Sequence, residues 1–191
     1  MTQEDVSELI KRMADGDPDA FEAVYRMTCE DIYRTVLFLV NDRYDAVDIV
    51  SDIYMNVWKT IGSYDTSKPF RYWLHGLALR RVGHYRRGRW RTFRLFEKQK
   101  AYMPIATGMN DDQLLRREGR DELLAHVFRL SYKLRAVIIL RFFHEYSLEE
   151  IAALLQIPIG TVKSRQHLAL RQLRNVMDPL HERKAENPYV Y

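Results

Sequence analysis

The chain has 191 residues, 47% of them hydrophobic, with a formal net charge of +4; this suffices for one large domain or two small ones with packed cores and argues against intrinsic disorder. No apolar run approaches the roughly 20 residues needed to cross a bilayer, and the opening MTQEDVSELIKRMADGD has no charged-then-apolar secretory leader. The single cysteine, Cys29, cannot close an internal disulfide, so the composition points to a soluble protein of the reducing cytoplasm.

Charge is unevenly placed. Residues 1–57 carry thirteen acids against five bases, whereas residues 71–100 carry ten bases (Arg71, Arg80, Arg81, Arg86, Arg87, Arg89, Arg91, Arg94, Lys98 and Lys100) against Glu97 alone. An acidic front and a basic middle imply two kinds of partner surface. Tyr72, Trp73, Tyr85, Trp90 and Phe93 stand among those bases, the mix that holds phosphates and stacks on bases of a nucleic acid.

The periodicity is helical almost throughout, with no sustained two-residue alternation. Asp17-Pro18-Asp19 opens a first helix carrying Phe21, Val24 and Tyr25, with proline tolerated in its first turn. A second is expected from about Tyr44 to Ile61. On a 100° wheel its Ala46, Val50, Ile53, Tyr54, Val57, Trp58 and Ile61 form an apolar face, opposite Asp45, Asp48, Asp52, Asn56 and Lys59. Gly62 is expected to end it. After a loop through Pro69, a third helix is expected to about Arg87, with Phe70, Trp73, Leu74, Leu77 and Ala78 inward.

Between Leu95 and Gly119 the pattern weakens, and Met103-Pro104, Thr107-Gly108 and Asn110-Asp111-Asp112 read as a linker. Helices return at Leu123–Phe128 and Leu134–Ile139. Ser147-Leu-Glu-Glu150 is a capping box opening a helix that buries Ile151, Ala152 and Leu155. A turn at Gln156–Gly160 leads to a last helix through Val162, Ala169, Leu173 and Val176. The tail HERKAENPYVY has no periodicity.

Two short helices joined by a four- to five-residue turn resemble a helix-turn-helix, whose second helix enters the major groove. On that second helix Lys163, Ser164, His167, Arg171 and Arg174 cluster opposite Val162, Gln166, Ala169, Leu173 and Val176, with Arg165 at the margin. Spacing alone does not separate this from an ordinary solvated helix. The string does: Glu149-Glu-Ile-Ala152 followed by Ile159-Gly-Thr-Val-Lys-Ser-Arg165 resembles the minus-35-reading domain of extracytoplasmic-function (ECF) sigma factors. That resemblance implies contacts to the minus-35 element from Thr161, Lys163, Ser164, Arg165, His167 and Arg171. Two departures are Leu168-Ala169 where the family often has Arg-Ala, and Gln156 where a glycine or small polar residue is common.

The first half extends the resemblance. Asp45-Ala-Val-Asp48-Ile-Val-Ser-Asp52-Ile-Tyr, then Val57-Trp58, is similar to the sigma-factor helix that docks on the coiled coil of the polymerase beta-prime subunit. This implies docking through Asp45, Asp48, Ser51 and Asp52. Val47 and Ser51 replace the family's usual Glu and Gln. Trp73-Leu-His-Gly-Leu-Ala78 resembles the minus-10 segment, and the loop Tyr64–Pro69 matches the one that pockets a flipped-out base. Capturing that base offsets part of the few kcal/mol spent on opening. Tyr64, Phe70, Trp73, Arg80, Arg81, Arg86 and Arg87 are therefore the expected minus-10 residues, with Arg80 standing where the family has Asn.

No G-x-x-x-x-G-K-[ST] loop, G-x-S-x-G elbow or H-E-x-x-H pair is present, and one cysteine with scattered histidines does not make a zinc site. No catalytic residue, metal or cofactor is expected. The sequence therefore predicts an all-α protein of two small helical domains joined by a flexible linker. Residues 1–94 would serve polymerase docking and minus-10 recognition and melting, 95–118 the linker, 119–180 the minus-35 helix-turn-helix, and 181–191 a tail. The implied function is that of a cytoplasmic sigma factor, not an enzyme, which binds core RNA polymerase and directs promoter recognition and DNA opening at transcription initiation. Its partners would be core polymerase and promoter DNA, an anti-sigma factor being a further partner the resemblance allows, without membrane insertion. The competing reading is a sigma-like helix-turn-helix regulator that forms no active holoenzyme. The acidic-faced and aromatic-basic helices favour a sigma factor, because a simple repressor needs neither.

Overall fold

The computed structural model describes residues 3–97 and 120–185, with side chains described at 6–89 and 123–175. Most of the expected linker, the end of the tail, and the side chains of Trp90, Arg91, Phe93, Arg94, Lys98, Lys100 and Val176 lie outside the described residues. Among the described residues all regular structure is helical. The chain divides into two compact units, Met1–Ala106 and Thr107–Tyr191.

The first unit begins with a helix that the sequence reading did not place, α1 (Gln3–Ala14), whose Ile10 and Met13 are buried. It ends in a left-handed turn: Gly16 has φ +90°, its N–H donates to Met13 O (3.1 Å), and the Asp17 N–H donates to Arg12 O (3.0 Å). Only glycine enters that region without Cβ strain. Asp17 then caps α2 (Pro18–Val40), its carboxylate accepting from the N–H groups of Asp19 (2.9 Å) and Ala20 (3.3 Å), with Pro18 in the first turn. The Arg12 guanidinium beside it holds the Asp17 carboxyl below the usual carboxylate range, helped by the amide of Ala20.

Asn41, itself left-handed at φ 60°, closes α2, and Asp42 caps α3 (Arg43–Thr60). The helix stops one residue before the expected Ile61, and Gly62 lies within a tight 3₁₀ turn, Ile61–Ser63, rather than at the helix end. After a short loop comes α4 (Phe70–Glu97), which runs ten residues past the expected Arg87. Val24, Ile32, Val36 and Leu39 of α2 pack with Ile49, Ile53 and Val57 of α3 and Leu74, Ala78 and Val82 of α4, all buried. Each large aliphatic side chain so buried contributes about 1.5–3 kcal/mol. Tyr54 is buried among them, and its hydroxyl meets Thr28 Oγ1 at 2.7 Å, while Thr28 donates to Val24 O. Trp58, expected on the apolar face, is 40% exposed.

The second unit holds α5 (Arg120–Arg129), α6 (Tyr132–Ile138), α7 (Leu148–Leu155) and α8 (Ile159–Ala185). Residues Leu134–Leu140 are buried consecutively, so α6 is enclosed from Leu134 onward while Lys133 in its first turn stays exposed. The charged residue within that buried run, Arg135, donates to Phe128 O at 2.5 Å. α6 widens into a π turn over Ile139–Phe143, followed by Glu145 at φ 60°. The expected capping box is present, with Ser147 N–H donating to Glu150 Oε2 (2.7 Å) and Glu150 N–H to Ser147 Oγ (3.1 Å). Ile151 is buried, whereas Ala152 and Leu155 are half-buried. α8 continues to Ala185, past the domain end expected at 180.

Candidate nucleic-acid and polymerase interfaces

The turn between α7 and α8 is tight because Gln156 takes a left-handed conformation (φ 54°), with Ile157 N–H donating to Ala152 O (3.0 Å). Pro158 then leads directly into α8, its carbonyl accepting from Thr161 and Val162. Val162, Ala169 and Leu173 are buried against the rest of the unit. That pins the opposite side outward: Lys163, Ser164, His167, Arg171 and Arg174 are exposed, while Thr161, Arg165 and Gln166 are half-buried. The cations Lys163, Arg165, Arg171 and Arg174 make no ion pair with another described side chain. The Ser164 hydroxyl donates to Thr161 O (3.0 Å), so toward a partner it is oriented as an acceptor.

The aromatic site of the first unit is a three-ring cluster. Tyr64 lies 5.6 Å from Phe70 and 5.2 Å from Trp73, and Phe70 lies 5.6 Å from Trp73. The Tyr64 hydroxyl donates to Lys68 O, closing the loop, and Asp65 accepts from Ser67 N–H (3.0 Å). Partial burial raises the Tyr64 phenol above its ordinary value. Phe70 is 8% exposed, whereas Tyr64 and Trp73 are half-buried. Phe70 thus backs the cluster, and of the three rings Tyr64 and Trp73 keep part of their surface exposed.

The cations of α4 fall into two groups. Arg80 and Arg87 are exposed and make no ion pair with another described side chain, and Arg86 is half-buried. Others reach back to the acids of the preceding helices. Arg81 pairs with Asp52. Arg89 Nη1 lies 2.6 Å from Asp45 Oδ2 and donates to the Tyr85 hydroxyl at 2.7 Å, and Tyr85 in turn donates to Asp45. Burial and the Asp45 carboxylate push the Tyr85 phenol up. Arg71 reaches Asp31 on α2 (3.3 Å), and the buried His75 Nε2 lies 3.2 Å from the same carboxylate. Sequence reasoning set Tyr85 and Arg89 among the residues that hold nucleic acid and missed their pairing with Asp45, as it missed that of Asp31 with Arg71 and His75. The signal was the charge asymmetry itself, since an acidic front and a basic middle can also neutralise one another within a fold.

The three acids of the expected docking face differ in setting: Asp45 and Asp52 are half-buried and pair with Arg89 and Arg81 of α4, while Asp48 is exposed without a described ion-pair partner. Large apolar side chains also stand on the outer surface of α3, with Tyr44 (86% exposed), Val47 (51%), Met55 (59%) and Trp58 (40%) around Asp48. Ser51 is exposed, but its hydroxyl donates to Val47 O (3.1 Å), within its own helix.

A helix-turn-helix with an outward cationic face, together with an aromatic loop beside a cationic helix, narrows the comparison. Family models agree: Sigma-70 region 2 matches residues 24–92, and Sigma-70, region 4 matches residues 128–175. The chain belongs to the ECF sigma factor family. It is 27% identical to the ECF RNA polymerase sigma factor SigW of Bacillus subtilis, over 92% of this chain and 98% of SigW. With the ECF RNA polymerase sigma factor SigK of Mycobacterium ulcerans it shares 29% identity, over 92% of this chain and 95% of that one. The fold matches the sigma factor RpoE in its complex with the anti-sigma factor NepR from Bartonella quintana. The TM-score is 0.66 at 22% identity, covering 83% of this chain and 96% of RpoE. As a sigma factor it serves transcription initiation. No helix among the described residues is long and apolar enough to cross a membrane.

Proposed function

We propose that the two units divide the promoter between them, with residues 1–94 docking on core polymerase and capturing the opened minus-10 strand and residues 119–180 reading the minus-35 element. The observation that carries this is α8: a buried stripe through Val162, Ala169 and Leu173 fixes Lys163, Ser164, His167 and Arg171 outward, at the N-terminal half of the second helix of a helix-turn-helix. That half is the part that enters a major groove in this motif. Thr161 and Arg165 flank the reading face, and Arg171, one turn further, sits where a phosphate passes.

In the first unit, Asp48, the partly exposed Asp45 and Asp52 on its flank, and the exposed Val47, Met55 and Trp58 form the polymerase contact. Tyr64 and Trp73 wall the base pocket over Phe70, and Arg80 and Arg87 hold the strand. The protein acts as a cytoplasmic regulatory subunit rather than as an enzyme. Because RpoE is held by NepR in the structure it resembles, an anti-sigma factor is a further partner of this chain. Selection of promoters from a random library by reconstituted holoenzyme tests the division. Enriched sequences should fall into two blocks, and Lys163→Ala should relax only the upstream one. A single block, or loss of both together, would contradict it.

A further inference from the structure

Asp45 and Asp52 stand seven residues apart, two turns on one flank of α3, and Arg81, Tyr85 and Arg89 repeat every four residues along the facing flank of α4. The helices run antiparallel here, so the groups meet as a ladder: Asp52 with Arg81, and Asp45 with Tyr85 and Arg89. The rungs are accessible, with side-chain exposures of 45% and 47% for Asp52 and Arg81 and 28% and 64% for Asp45 and Arg89. Two acids of the helix read as polymerase-binding are thus occupied by two cations of the helix read as strand-holding.

We propose that this ladder is a latch that couples the two surfaces: in the free chain it neutralises Arg81 and Arg89, and a cationic surface engaging Asp45 and Asp52 releases them to DNA phosphates. The inference rests on the reading of α3 as the docking helix and α4 as the strand-holding helix. Coupling of this kind is reciprocal, so strand binding also strengthens docking by the same factor. Exposed pairs are worth only a few-fold in equilibrium terms, so a docking partner opens the latch readily. Arg80 and Arg87 have no such acid among the described side chains and hold the strand in either state.

The test uses the full chain without polymerase, and a fluorescent single-stranded oligothymidine followed by anisotropy at several salt concentrations. Asp52→Asn keeps a hydrogen-bond acceptor but frees Arg81. It should tighten binding about threefold and steepen the log–log salt slope by about 0.7, the increment for one added phosphate contact on a single strand. Both gains should vanish in Asp52→Asn/Arg81→Ala. Glu22→Gln frees Arg26 from its pair within α2 (2.5 Å) and should produce neither change. If Glu22→Gln tightens binding as much, the effect is bulk charge and the latch is wrong. If Asp52→Asn does nothing while Arg80→Ala/Arg87→Ala weakens binding, the latch is wrong but α4 still holds the strand. If Arg80→Ala/Arg87→Ala also changes nothing, the strand-holding reading fails and takes the latch with it.

Discussion

Arg81 and Asp52 pair across the α3–α4 boundary with nearly half of each side chain still in solvent. This pairing separates Asp52 from Asp48, which lies one turn away on the same helix and has no described ion-pair partner. Asp48→Lys should therefore weaken binding to core polymerase while leaving the melting temperature unchanged. Asp52→Lys should lower stability as well, by up to about 1 kcal/mol, because it sets a cation against Arg81. Pull-down with core enzyme, paired with thermal denaturation by circular dichroism, checks both. Undiminished binding by folded Asp48→Lys would remove that residue from the docking surface.

Two residues in the second unit occupy backbone regions that favour glycine. Glu145 follows the π turn at φ 60°, and Gln156 closes α7 at φ 54°. Glu145→Gly and Gln156→Gly should each stabilise the protein by about 0.5–1 kcal/mol, the Cβ penalty less the added freedom of the unfolded chain. Gly16→Ala, at φ +90°, should destabilise by a similar amount. Denaturant titration measures all three, and a loss of stability in Gln156→Gly would show that its side chain contributes more than its backbone costs.

Reading and holding should separate along α8. Lys163→Ala or Arg165→Ala should reduce discrimination at the minus-35 element by about 1–3 kcal/mol where the contact is bidentate to a base. Arg171→Ala should weaken all sequences about equally and flatten the salt dependence. Holoenzyme binding to matched and mismatched promoters distinguishes them. Altered preference in Arg171→Ala without any in Arg165→Ala would reverse the assigned roles.

The helices and the helix-turn-helix were legible because their signals are local. The Ser147–Glu150 box, the Asp17-Pro18 start and the Val162–Ala169–Leu173 stripe each lie within a few turns of one helix. The pairs Asp52–Arg81, Asp45–Arg89 and Asp31–Arg71 were not, because a wheel orders residues about one axis and does not say which flank a neighbouring helix covers. The same blindness put Trp58 in the core, though it lies at the helix edge, and left out Ile49, which is 3% exposed. α1 could have been found, since Val6, Leu9, Ile10 and Met13 keep helical spacing. The reading there stopped at the absence of a leader.

At the base pocket, packing and capture are now distinguishable by residue. Phe70→Ala removes a buried ring and should cost about 3 kcal/mol of stability, failing on every template. Tyr64→Ala removes a half-buried ring and should cost less. It should leave closed-complex binding nearly unchanged while reducing opening, since a flipped base exists only once melting has begun. Tyr64→Phe keeps the ring contacts and loses only the bond to Lys68 O, so opening should largely survive. Permanganate footprinting on duplex and pre-melted templates reads this out. Equal loss by Tyr64→Ala on both templates, with a lowered melting temperature, would make Tyr64 a packing residue.

The central claim is that this chain carries both polymerase-binding and promoter-reading functions as an initiation subunit. Run-off transcription with core polymerase on genomic fragments, with and without the protein, tests it most directly. The account predicts discrete transcripts that depend on the protein and are lost with Asp48→Lys or Lys163→Ala. Protein-dependent DNA binding without any transcript, from a chain that stays bound to its sites when core polymerase is absent, would contradict it and leave a sigma-like DNA-binding regulator.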